Sequence, residues 1–213
     1  MAPTPLLHGL AQAVCADETF AALAAHLPAP RLALTAPDAA RPFAVAALAQ
    51  QTDDPILVVS ANGREADDLV IELAELLDDP ESVALFPSWE TLPHERLSPS
   101  SDTVGRRVAV MRRLAHPDPA DPMTLPIDVV VTSVRAFLQP VISGIGDVEP
   151  VRLVAGDEAP LHDLVARLHR DIQLREDFHE PVPPRGGQGH VDHVGRLDRH
   201  GGFPCYQVAI AAR

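Results

Sequence analysis

The chain has 213 residues, enough for one large domain or two small ones, and its 46% hydrophobic content supports a packed core. It carries 30 acidic against 17 basic residues, all arginine, and a formal charge of −13 excludes strong nucleic-acid binding except through a local patch. Cys15 and Cys205 match no metal or redox spacing, so we expect a protein of a reducing compartment. No lysine or arginine precedes Arg31, which argues against a signal peptide, and no apolar run is long enough for a membrane span. We therefore expect a cytoplasmic protein.

The predicted elements begin with one or two helices over 10–27, where apolar residues recur at helical spacing before a Pro-Ala-Pro break. Short apolar runs then alternate with amphipathic segments. The apolar runs predict strands at 31–36, 56–61, 82–86 and 127–133, and the segments between them predict helices at 37–50, 64–77 and 102–115. Asp102 is the predicted cap of the last helix, with Val104, Val108, Met111 and Ala115 on its buried face.

Continuous apolar strands separated by helices are typical of a parallel sheet with helices on both faces, an α/β fold. After about residue 147 the pattern changes to a strand at 151–155 and a helix at 157–168, and beyond that the periodicity fails except for a possible strand at 206–211. We therefore divide the chain into N-terminal helices (1–30), an α/β domain (31–146), the start of a second, incomplete domain (147–168) and an irregular tail (169–213).

A nucleotide site is not expected in this sheet. A P-loop needs glycines for close backbone approach and a lysine for the phosphates. The turn after the first predicted strand, 35–42, has no glycine, loses two N–H donors to Pro37 and Pro42, and places Asp38 where an anion would bind. The chain contains no lysine and no GxGxxG. We expect no ATPase activity of the P-loop type, no catalytic residue and no cofactor.

A metal site is not expected either. His190, His193, His200 and Cys205 could be offered as ligands, but their spacing matches no strong zinc pattern, and a histidine-rich disordered tail is favoured. The four arginines of the predicted helix at 102–115 (Arg106, Arg107, Arg112 and Arg113) are interpreted as a solvated face rather than a phosphate or partner site.

The segment 86–107, FPSWETLPHERLSPSSDTVGRR, follows a predicted strand directly and has no periodicity. Loops at the carboxyl ends of parallel strands often carry function, so it is either a partner-binding loop or a structural loop anchored by a buried Trp89. The candidate residues are Trp89, Glu90, Thr91, Leu92, Pro93, Ser98, Pro99, Asp102, Arg106 and Arg107.

The same segment resembles the transcription-repair coupling factor family, Mfd, through Trp89-Glu90-Thr91-Leu92-Pro93, Ser98-Pro99, Asp102 and Arg107. The likeness extends through ILVVSANGREADDLVIELAELL before it and RRLAHP and IDVVVTSVRAFLQP after it, over about residues 30–168, in the style of actinobacterial members. The repair protein UvrB shares this module, but it has a working P-loop.

The resemblance implies a degenerate helicase-like domain that has lost ATP binding, followed by the start of a domain that recruits UvrA. ATP and Mg, and contacts with DNA and RNA polymerase, belong to family regions that this chain does not contain. Nothing from His169 onward matches the family, which suggests a frameshifted or truncated product. We therefore expect this chain to supply only a binding or autoinhibitory module, in which UvrA binding is weak or lost. Two alternatives remain: a small-molecule transferase using the strand ends near Trp89 and Arg106, and a non-functional remnant.

Overall fold

The computed structural model describes residues 7–25, 36–90, 99–141, 144–148, 150, 160–163, 165–166 and the backbone of 206–208. Its sheet contains β1 (Ile56–Ser60), β2 (Val83–Phe86), β3 (Val129–Ser133) and the short β4 (Tyr206–Val208), in the order β2-β3-β1-β4. Every paired strand is parallel to its neighbour. The predicted α/β fold with a parallel sheet is confirmed.

Besides the helical residues at 161–163 and 165–166, the described part of the chain has six α-helices, one of them between β1 and β2 and another between β2 and β3. They are α1 (His8–Cys15), α2 (Glu18–Ala24), α3 (Arg41–Ala49), α4 (Gly63–Leu76), α5 (Ser101–Ala115) and α6 (Val134–Leu138). Short 3₁₀ turns occur at Asp38–Ala40, Pro80–Ser82 and Ile145–Asp147. Within the described residues, no helix is both long and apolar enough to span a membrane.

Two apolar layers cover the two faces of the sheet. On one face, α4 packs on the strands, and residues of α1 to α3 join it in one core with Ile56, Val58 and Val131. On the other, Val110 of α5 and Ala136 of α6 pack against strand positions offset by one residue, such as Val130. Because successive strand side chains point to opposite faces, the continuous apolar runs supply both layers.

Helix α4 shows how the sequence determines one of these elements. The Asn62 side chain caps it by accepting from the backbone N–H of Glu65 at 3.0 Å, as expected for an asparagine before a helix. Its apolar stripe, ending in Leu73 and Leu76, is buried against the sheet. Ile71 and Glu72, which lie outside this stripe, are exposed.

Helix α5 differs from the prediction in its cap and in its buried face. Ser100 is the cap and accepts from the N–H of Thr103 at 3.2 Å, whereas Asp102 lies in the first turn. The buried positions are Thr103, Arg107 and Val110. The predicted Val104, Val108, Met111 and Ala115 are only partly buried. The pattern misplaced this face because it treats arginine and threonine as solvent-facing, although both are bonded here to the segment after β2.

The 3₁₀ turn at Ile145–Asp147 packs closely on α5. Gly144 has φ +79°, which favours glycine, and a Cβ on the buried Gly146 would lie 2.8 Å from the carbonyl oxygen of Met111. The turn is also held by His116, whose Nε2 lies 2.8 Å from Asp147 Oδ1. This close approach requires glycine at position 146.

Several predictions lie wholly or mostly outside the described residues. They are the strand at 31–36 except for Ala36, the strand at 151–155, and the tail apart from the strand at 206–208. Of the helix predicted at 157–168, residues 161–163 and 165–166 are described and helical. The domain boundaries stay predictions, although Ala11 and Phe20 of the N-terminal helices join the same core as α3 and α4.

Candidate functional site

Arg107 lies at the centre of the first candidate site, where β2 ends. Its side chain is only 2% exposed, and its guanidinium carbon lies 4.1 Å from the ring centre of Phe86 and 4.3 Å from that of Trp89. Nη1 donates a 2.7 Å hydrogen bond to the carbonyl of Pro87. Burial lowers the pKa of Arg107 to about 10, so the group remains charged at neutral pH. The cation is held by two aromatic faces and one carbonyl.

Glu90 connects the end of this segment to the start of α5. Its carboxylate accepts hydrogen bonds from Ser100 Oγ at 2.6 Å and from Thr103 Oγ1. The bond from the Ser100 side chain, followed by that from Thr103, lowers the pKa of Glu90 from 4.5 to about 2. The carboxylate therefore occupies the N-terminus of α5, where an external anion would otherwise bind.

Trp89 is half-buried rather than fully buried. Its backbone N–H donates a 2.7 Å hydrogen bond to Oε1 of Gln139, just after α6. Glu90 and Ser100, at the two ends of the segment between them, are thus hydrogen-bonded to each other. The residues just before Glu90 are bonded to α5 through Arg107 and to the end of α6 through Gln139. We call Phe86, Pro87, Trp89, Glu90, Ser100, Thr103, Arg107 and Gln139 the loop base.

The predicted site residues fall into three groups. Trp89, Glu90 and Arg107 come together in the loop base. Asp102 and Arg106 form an exposed ion pair at 3.0 Å on α5, and Pro99 is partly buried beside the cap of that helix. Four residues lie outside the described part of the chain: Thr91, Leu92, Pro93 and Ser98.

The interpretation of the four α5 arginines as a solvated face is wrong for three of them. Arg107 is buried, and Arg112 donates to the carbonyl of Val148 at 3.2 Å. Arg113 donates to the carbonyls of Leu125 at 2.7 Å and Glu81 at 2.5 Å. These arginines satisfy backbone carbonyls of the segments that flank α5, and only Arg106 is largely exposed, at 58%.

Sequence reasoning missed Ser100, Thr103 and Gln139. A serine directly before a helical pattern is a recognisable cap signal and could have identified Ser100. Gln139 lies 50 residues from Trp89. No local pattern links two residues so far apart in the chain.

A second candidate site is an open crevice of about 1030 Å³ beside the carboxyl end of β1. Its walls come from the turn at Asp38–Ala40, the start of α3, residues 59–61 and the length of α4. In parallel α/β sheets, ligands bind in such a position. The apolar part of its described lining is Leu7, Ala39, Pro42, Phe43, Val59, Ala61, Leu69, Ile71, Leu76 and Val134.

The charges around this crevice do not fit a nucleotide. Its described lining has five carboxylates, Asp38, Glu65, Asp68, Glu72 and Glu75, and a single cation, Arg41. Arg41 already lies 3.5 Å from Asp38 and 3.7 Å from Glu65. Pro42, at the start of α3, offers no N–H to a phosphate. A triphosphate would therefore meet like charge where a P-loop provides donors and a lysine.

The described residues contain no group of three or more His, Cys, Asp or Glu side chains placed to hold a metal ion. The five carboxylates of the crevice are thus distributed along it rather than converging on one point. The expectation that the chain takes no cofactor remains a prediction.

No protein-family model matches the chain. Over 147 residues it is 54% identical to the transcription-repair-coupling factors of Mycobacterium bovis and Mycobacterium tuberculosis, a match that covers 69% of this chain and 12% of each of those proteins. The factor of Haemophilus influenzae is 32% identical over 74 residues, which is 35% of this chain and 6% of that protein. The chain spans only a small part of the length of these relatives.

Proposed function

Because the stretch of 147 residues shared with the mycobacterial proteins makes this chain a member of the transcription-repair-coupling factor family, we propose that it acts as a non-catalytic binding module of such a factor. In this proposal the module provides contacts with repair proteins and restrains the whole factor when it is idle. ATP hydrolysis, movement on DNA and displacement of stalled RNA polymerase belong to parts of the family's chain outside this one.

The observation that carries the proposal is the acidic lining of the crevice at the end of β1. A helicase-like sheet that binds ATP presents backbone N–H groups and a lysine there. Here the described lining presents Asp38, Glu65 and other carboxylates, and its only cation is paired with two of them. Repulsion between these carboxylates and a triphosphate opposes binding.

A thermal-unfolding assay with Mg-ATP tests the absence of nucleotide binding. A ligand at 100 times its dissociation constant stabilises the folded state by about 2.7 kcal/mol, which shifts the melting temperature by several degrees. We expect no shift with Mg-ATP, Mg-ADP or Mg-GTP, and no phosphate release. A P-loop ATPase measured alongside serves as the positive control, and a dose-dependent shift of this chain would refute the proposal.

We propose UvrA as the partner of the second domain, and weak or no capture of UvrA by this chain. The exposure of Leu161 (75%) and Val165 (40%) supports this, since two large aliphatic residues of the second domain's first helix have little apolar cover. A pull-down should compare this chain with a protein that continues in the family's sequence after residue 168. Equal capture of UvrA by both would contradict the expected loss.

A further inference from the structure

The crevice beside β1 has an apolar floor that is open to solvent. Leu69 and Leu76 of α4 form part of it and are buried. Three other apolar lining residues remain exposed: Leu7 at 41%, Ile71 at 66% and Val134 at 44%. An apolar surface rimmed by polar groups is typical of an interaction site. In the described part of the chain, no side chain covers these three residues fully.

The carboxylates of the crevice follow the axis of α4. Glu65, Asp68, Glu72 and Glu75 recur every three or four residues, so they lie in a row along one side of the helix. At 1.5 Å per residue, the row spans about 15 Å, or nearly three helical turns. Such a row matches cations spaced at the same interval on a second helix, and it is too spread out to hold a single small cation.

We propose that this crevice binds an amphipathic helical segment of a partner protein, with its leucine-like side chains on the apolar floor and its arginine or lysine side chains against the α4 carboxylates. The occupant is inferred from charge complementarity and from the combination of an apolar floor with an acidic rim. The inference rests on the proposed function in one respect, namely that no nucleotide fills the crevice.

The probe for this site is a fluorescein-labelled peptide of about 14 residues, or nearly four turns. Leucine recurs at i, i+3, i+4 and i+7, and arginine occupies the polar face. One control peptide keeps the arginines and replaces the leucines with serine, and a second keeps the leucines and replaces the arginines with glutamate. We expect the 213-residue chain to bind the first peptide at least about tenfold more tightly than either control peptide.

Matched variants separate the crevice from the general negative charge of the protein. Glu72→Arg reverses a charge of the crevice, and Asp53→Arg makes the same charge change at an exposed position before β1, outside the lining. We expect Glu72→Arg to weaken peptide binding about tenfold and Asp53→Arg less than about twofold. Ile71→Ala should weaken it about fivefold, whereas Leu138→Ala, at an exposed residue outside the lining, should have no effect.

Two results would overturn the inference. Equal weakening by Glu72→Arg and Asp53→Arg would show non-specific attraction, and equal binding of the serine peptide would show that the apolar floor takes no part. The Mg-ATP assay on the same samples separates this inference from the proposed function. Stabilisation by Mg-ATP refutes both, whereas failed peptide binding without any effect of Mg-ATP refutes only the docking site.

Discussion

The loop base lies at the carboxyl end of β2 and the crevice at that of β1, with β3 between the two strands, and their charged groups are arranged differently. In the loop base, Arg107 is buried between two rings and Glu90 accepts hydrogen bonds from Ser100 and Thr103. In the crevice, five carboxylates with one cation among them surround an open apolar floor. The charged groups of the loop base contact ring faces and hydrogen-bonding groups of the chain, whereas the crevice carries an excess of carboxylates.

This difference separates a structural role from a binding role. A charged group that is held by hydrogen bonds or ring faces fixes the position of its neighbours, and removing such a contact lowers stability. Like charges along one rim repel each other and contribute no stability of their own. We therefore expect substitutions in the loop base to change the stability of the fold, and substitutions of exposed crevice residues to change mainly what the crevice binds.

The largest effect is expected from Arg107→Ala, which removes the cation between Phe86 and Trp89 and leaves a void. The free energy of unfolding should fall by about 3 kcal/mol, measured by urea denaturation. Arg107→Met retains most of the volume and also removes Nη2, which has no hydrogen-bond partner, so it should lose less. Arg106→Ala is the surface control and should stay within about 0.5 kcal/mol of the parent. Equal losses for Arg106→Ala and Arg107→Ala would break the comparison.

A smaller loss is expected from Trp89→Ala. The ring covers one face of Arg107 but is itself only half-buried, so the cost should be about 2 kcal/mol, less than for a fully buried tryptophan. The backbone hydrogen bond to Gln139 is retained in the variant. Denaturant unfolding measures the change. If stability is unchanged but binding to a repair partner is lost, Trp89 belongs to an interface and the loop base has a second role.

Glu90→Gln should change how the free energy of unfolding depends on pH. The folded-state pKa of Glu90, about 2, lies below the ordinary 4.5, so its contribution is fully present above pH 4.5 and is lost as the pH falls through 2. Urea midpoints measured across that interval should decline less steeply in the glutamine variant. Identical slopes for the parent and the variant would show that the carboxylate is not held by Ser100 and Thr103.

The smallest effect is expected from Ile71→Ala in the crevice. The side chain is 66% exposed and alanine favours helix, so the free energy of unfolding should change by less than about 0.5 kcal/mol. Leu73→Ala is the matched buried position on the same helix and should cost roughly 2–5 kcal/mol. A loss for Ile71→Ala similar to that for Leu73→Ala would mean that the crevice is part of the core.

The sequence predicted the strands at 56–60, 83–86 and 129–133 and the helices between them to within two residues, because their apolar periodicity is strong. It also placed the candidate loop correctly at the end of β2. It did not identify Arg107 as buried, since a buried arginine depends on two rings and a carbonyl that come together only in the fold. The crevice was missed for a related reason: its carboxylates on α4 are ordinary surface residues until α3 packs beside them.

The contact of Gly146 with α5 has a mechanical consequence for whatever follows it in the chain. Tension on the backbone after residue 148 reaches α5 first, through the Gly146 approach, the His116–Asp147 pair and the bond from Arg112 to Val148. Arg113 passes the load on to the segments that lead into β2 and β3. Pulling from that side therefore loads α5 together with the segments that lead into the edge strand β2 and its neighbour β3.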